Sequence, residues 1–114
     1  MGIILISEPV STKQLREAGE ELFGDMVKAV VDVDKEIMAA GAELHADEEA
    51  FLLDRNSRQE SLWGINLYTD REFPEMIEFD SMINIRPRQN NRSRGVENMA
   101  LQQRITEIVR KLVR

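Results

Sequence analysis

The 114-residue chain contains no cysteine, which excludes disulfides, a thiolate nucleophile and Cys-ligated zinc or iron–sulfur clusters. A chain of this kind suits a reducing compartment, and a cytoplasmic location is the expectation. There is one histidine, so a two-histidine zinc site is excluded as well. Pro and Gly are sparse, at 3 and 6 residues, which argues against disorder outside short loops. Long apolar runs are missing too. The run Ile3-Ile4-Leu5-Ile6 is only four residues long and lacks a basic segment before it, so it fits neither a signal peptide nor a membrane span.

What the chain does have is segregated charge. Residues 1–85 carry 7 Lys/Arg against 19 Asp/Glu, whereas residues 86–114 carry 8 against 2. Arg86, Arg88, Arg92 and Arg94 fall in nine positions free of acid, just before an expected helix. The length is that of a single domain, 1–114, able to bury roughly two-thirds of its unfolded surface.

Hydrophobic spacing predicts the elements. After the apolar run, Glu8-Pro9-Val10 breaks the first strand, and Ser11 with Gln14 three positions on matches a capping box. The helix it opens runs over 12–23, with Leu15, Ala18, Leu22 and Phe23 at helical spacing and Gly24 as its stop. Asp25 then caps a second expected helix, with a stripe of Met26, Val27, Val30, Val33, Ile37 and Met38 and Gly41 at its end. Its β-branched content is high for a helix, so burial must outweigh propensity there. From Glu43 the period changes to two, predicting antiparallel strands over 43–54, 61–69 and 76–86. A closing helix over 98–113 has Leu101, Ile105, Ile108 and Leu112 as its buried stripe. The expected order is β-α-α-β-β-β-α, an α+β two-layer sandwich with a largely antiparallel sheet and its helices on one face.

The fragments ELHADEEAFLL, SLWGINLY, EFDSMINIRP and NRSRGVEN together resemble a family of small prokaryotic proteins of unknown function, of about this length. The resemblance spans nearly the whole chain. It implies a compact cytoplasmic domain and brings no activity, substrate, cofactor or catalytic residue.

The arginine segment is the first candidate site. Pro87 and Gly95 break regular structure, Asn90-Asn91 favour a turn, and the chain then enters the last helix. Helix-terminal N–H groups attract anions and guanidinium forks match phosphate or carboxylate oxygens, so Arg86, Arg88, Arg92, Ser93, Arg94 and Gly95 are candidate anion ligands. Alternatively, these arginines pair with the carboxylates of residues 1–85, Glu78 and Asp80 among them. No standard phosphate loop is present, since that needs more glycine and a Lys-Ser/Thr end.

The polar sheet face is the second candidate. Glu43, His45, Asp47 and Glu49 alternate, and the expected register brings His45 and Asp47 toward Tyr68 and Asn66 near Asp80. A histidine beside carboxylates can act as a general base, which makes His45, Asp47 and Asp80 the catalytic candidates. Were His45 coupled to Asp47, its pKa would lie above about 6.5. Clustered carboxylates could hold Mg²⁺ through water, although no metal site or cofactor is expected, and such a face is also commonly just solvated. Ser81 is expected on the apolar face, which leaves a serine triad poorly supported.

Trp63 fits a core anchor better than a base-stacking platform, and Met76, Met82 and Met99 fit core filling better than a contact surface. Net acidity and the absence of aromatics among the arginines make nucleic acid unlikely as a partner and favour a small phosphate-containing molecule. Three functions follow: an anion-binding module, a hydrolase or phosphoryl-transfer enzyme, and a homo-oligomeric protein, for instance a homodimer, whose acidic and basic regions meet. No membrane partner is expected.

Overall fold

The computed structural model describes residues 2–114, the side chains of Glu20 and Glu21 excepted. The elements are β1 (Ile4–Ile6), α1 (Thr12–Phe23), β2 (Met26–Asp32), β3 (Ile37–Ala40), α2 (His45–Leu53), β4 (Leu62–Tyr68), β5 (Ile77–Glu78) and α3 (Met99–Leu112). The strands form one antiparallel sheet in the order β1-β3-β2-β4-β5. The class is α+β, as expected.

The capping box forms as read. Ser11 Oγ accepts from the Gln14 N–H at 3.0 Å, and Gln14 Oε1 accepts from the Ser11 N–H at 2.9 Å, so two orphan donors of α1 are satisfied reciprocally. Gly24 follows α1 at φ +72°, a conformation that glycine adopts without a Cβ penalty. α3 starts at Asn98, whose Oδ1 accepts from the Leu101 N–H, and buries Ile105, Ile108, Val109 and Leu112.

The helix expected over 26–38 is instead the β2–β3 hairpin. Its turn is closed by Asp32, whose Oδ1 accepts from the N–H groups of Asp34 and Lys35, both at 2.9 Å. Asp32 Oδ2 accepts from Ser57 Oγ at 2.6 Å. β2 is covered on both faces, by Val27, Ala29 and Val31 in one apolar cluster and Val30 in another. A strand buried on both sides loses its period of two, and the valines then imitate a helical stripe.

Conversely, the strand expected over 43–54 is helix α2. Its buried residues are His45, Glu48 and Leu52, at spacings of three and four. Two of these three inward positions are titratable, so hydropathy hid the helical period. α1 and α3 sit against the larger cluster on one face, whereas α2 covers Val30, Ala39 and Leu62 on the other. The helices are thus not confined to one face.

The strand expected over 76–86 stops after Glu78, and 3-10 turns follow at Met82–Asn84 and Pro87–Gln89. The buried Asn84 side chain stands where a strand backbone would continue. Its Oδ1 accepts from the Gly64 N–H at 2.8 Å, and its Nδ2 donates to Gly64 O at 3.0 Å and Arg94 O at 2.9 Å. Pairing of the β4 edge is therefore completed by a side-chain amide, which can end a strand where further backbone would extend it. Gly64 also admits Ser81: a Cβ on Gly64 would lie 2.5 Å from Ser81 Cβ.

Candidate functional site

α2 covers only part of its sheet face. The uncovered part carries Met26 and Lys28 of β2, Asn66 and Tyr68 of β4 and Glu78 of β5, with Lys28 opposite Asn66 and Asn66 opposite Glu78 across the strands. The amino end of α2, at Leu44, His45 and Ala46, forms one wall, and Asp80 to Ile83 with Arg94 form another. Together they enclose a cavity of about 460 Å³, within the usual range for small-molecule sites.

Its floor is a hydrogen-bonded row. Asn66 Nδ2 donates to Glu78 Oε1 at 2.9 Å and to Asp80 O at 3.3 Å, and Tyr68 OH donates to the same Glu78 oxygen at 3.1 Å. Burial and the bond to Glu78 raise the Tyr68 pKa, so its proton stays in place. Both acceptors of Asn66 fix the orientation of its amide, and Oδ1 is left buried with no partner among the described residues. A buried acceptor without a donor costs about 1–3 kcal/mol.

Two cations border this row. Arg94 Nε donates to Asp80 Oδ1 at 2.5 Å, an interaction that holds the Arg94 pKa above its ordinary value. No partner within the described residues takes its terminal N–H groups. Lys28 Nζ lies 5.0 Å from the Phe23 ring centroid, and among the described residues it forms no ion pair. Burial lowers the pKa of His45, outweighing the bond of its Nε2 to Ile65 O at 2.8 Å; Lys28 lowers it further. A carbonyl only accepts, so Nε2 carries the proton and Nδ1 of the neutral ring is unprotonated. The expected coupling to Asp47 is absent. Asp47 is exposed on the first turn of α2 and does not line the cavity.

The arginine segment does not converge on one point. Arg86 is structural: its guanidinium stacks on Trp63 at 4.3 Å and donates to Ile83 O, Gln59 O and Leu62 O. Trp63 itself is a core residue. Arg88 and Arg92 are exposed and outside the cavity. The N–H groups of Arg92 and Ser93 both donate to Glu97 Oε2, at 2.9 and 2.8 Å, and the Gly95 N–H goes to Ser93 Oγ. The backbone cradle expected for an outside anion thus holds the chain's own carboxylate, whose pKa is lowered by the Ser93 side chain and by these N–H donors. Glu97, the first acid after the arginines, was the signal for this arrangement.

A family model described as "protein of unknown function (DUF5674)" matches residues 4–112. The chain belongs to that family. No curated protein and no solved structure matches it. The family description assigns no activity, so chemistry must be argued from the cavity. Of the candidate residues read from the sequence, His45, Asp80 and Arg94 meet there, with Asn66 and Tyr68 of the polar face. Lys28 was missed because its segment was read as a helix, although it alternates with Val27 and Ala29 as a strand residue does. Among the described residues, no group of three or more His, Asp or Glu side chains could hold a metal ion, and no helix is long and apolar enough to cross a membrane.

Proposed function

We propose that the protein binds a small anionic molecule in this cavity, with the negative group between the amino end of α2, Lys28 and the terminal nitrogens of Arg94. The observation that carries the proposal is that α2 starts at Leu44 with no side-chain cap and that its first residues wall the cavity. The N–H groups of His45 and Ala46 take no partner among the described residues, whereas that of Asp47 donates to Leu44 O at 3.2 Å, so the start of this nine-residue helix presents two donors and a partial positive charge. A phosphate-containing or carboxylate ligand fits this chemistry.

Calorimetric titration with inorganic phosphate and with 4-methylpentanoate at pH 7 tests the proposal. Lys28→Ala and Arg94→Ala should each weaken binding of at least one probe roughly 10-fold, the scale of one charge-assisted contact. Arg92→Ala should leave it unchanged. Equal affinity in all three variants would move the anion elsewhere.

A second function is favoured by the tautomer of His45. A neutral ring with its Nε2 proton committed to Ile65 O can serve as a general base through Nδ1, with Asp80 nearby in the same cavity. Acid–base chemistry on the bound molecule, such as hydrolysis, would then depend on His45.

A further inference from the structure

An imidazole is the side chain whose ordinary charge change falls between pH 5 and 8, and the only histidine of the chain stands in the cavity wall. His45 opens α2 and is 8% exposed. Its Nε2 is tied to Ile65 O at 2.8 Å, so the ring is held in place and a second proton can enter only at Nδ1, which takes no partner among the described residues. Burial, Lys28 and Arg94 favour the neutral ring, against the opposing pull of the Ile65 carbonyl and Asp80.

An anion at the amino end of α2 changes that balance. Nδ1 is joined to the His45 N–H through Cγ, Cβ and Cα alone, so an anion accepting from this N–H lies within the range of about 4–6 Å over which a negative charge favours the imidazolium. Its charge also offsets Lys28 of β2 and Arg94, the two cations that oppose a protonated ring. The other titratable groups around the cavity are Tyr68 of β4, Glu78 of β5 and Asp80, and on its own helix His45 is followed by the exposed Asp47 and the buried Glu48. Glu78 and Asp80 are each engaged by donors of the chain, from Asn66 and Tyr68 and from Arg94, which leaves His45 as the group placed to take a proton when an anion arrives.

We propose that anion binding in the cavity is coupled to the uptake of one proton from solvent at His45 Nδ1, so that the protein holds its ligand more tightly as pH falls. Linkage makes the effect reciprocal: the factor by which the anion raises the proton affinity of the ring is the factor by which the proton raises the affinity for the anion. The coupling rests on the anion site proposed above and adds a pH-dependent control to it.

Calorimetric titration of the full chain with 4-methylpentanoate, a carboxylate that stays ionised at pH 6, 7 and 8, measures affinity and proton uptake together when repeated in buffers of different ionisation heat. Binding should be at least about threefold tighter at pH 6 than at pH 8, with protons taken up, and the His45 ring signals in NMR should titrate at a higher pH in the complex than in the free protein. His45→Gln, whose amide can still donate to Ile65 O, should bind with the same affinity at all three pH values. Equal wild-type affinity at pH 6 and 8 with an unshifted His45 midpoint would overturn the coupling and leave the anion site standing. A pH dependence of equal size in His45→Gln would assign the proton to Glu78 or Asp80 and overturn it too. No binding at any of the three pH values would overturn both the coupling and the anion site.

Discussion

Glu48 faces inward from α2 and is fully buried, with Oε2 accepting from the Ala42 N–H at 3.0 Å and Oε1 without a partner among the described residues. Burial pushes its pKa up to about 9 from an ordinary 4.5, against the opposing pull of the Ala42 N–H and Lys28. The folded chain then holds a proton that the unfolded chain has released, so stability is intact below the unfolded pKa and falls as pH rises toward 9. His45 acts in the opposite sense: its depressed pKa contributes stability above about 6.5 that is lost as pH falls through the folded value. Between about pH 7.5 and 9 the histidine is nearly all neutral in both states and Glu48 dominates the pair. Urea unfolding over that window should show stability falling by up to about 1.4 kcal/mol per pH unit, and Glu48→Gln should flatten the slope. Equal slopes in the two proteins would mean that Glu48 is ionised in the fold.

At the scale of elements, legibility followed burial. α1 and α3 each have one polar face and a side-chain cap, and β4 alternates Trp63, Ile65 and Leu67 toward the core with Asn66 and Tyr68 toward the cavity, so their periods survive in the sequence. The β2–β3 hairpin is buried on both faces, α2 turns a histidine and a glutamate inward, and β5 is cut short by the Asn84 amide. In each case a tertiary contact overrode local periodicity. The site inherits these difficulties, since Lys28 lies on the misread hairpin and His45 on the misread helix. The missing cap of α2 supports a direct prediction. Leu44 has the extended backbone of an N-cap, φ −124° and ψ 139°, so Leu44→Asp can accept from the first-turn N–H groups without rearrangement. Thermal unfolding should show a gain of about 1 kcal/mol, while affinity for 4-methylpentanoate falls at least 10-fold because the cap occupies the anion position. Greater stability with unchanged affinity would separate α2 from the site.

The whole molecule places an uncapped helix, two cations and a row of acceptors around one gap that α2 leaves in its cover of the sheet. Part of the charge segregation evident in the sequence is resolved within the chain: Arg94 meets Asp80, Arg104 and Lys111 meet Glu36, and Glu97 fills the turn after the arginines. Three ion pairs thus join the acidic and basic portions, and in the proposed function Lys28 and the outer nitrogens of Arg94 take the ligand. The function proposed for the cavity depends on the position of the bound anion. Amide ¹⁵N–¹H correlation spectra recorded during titration with 4-methylpentanoate locate it residue by residue. The largest shifts should fall at the His45 and Ala46 amides and the Arg94 side chain, with Ser93 and Gly95 unmoved; shifts centred on Ser93 and Gly95, or none at the start of α2, would place the anion away from α2.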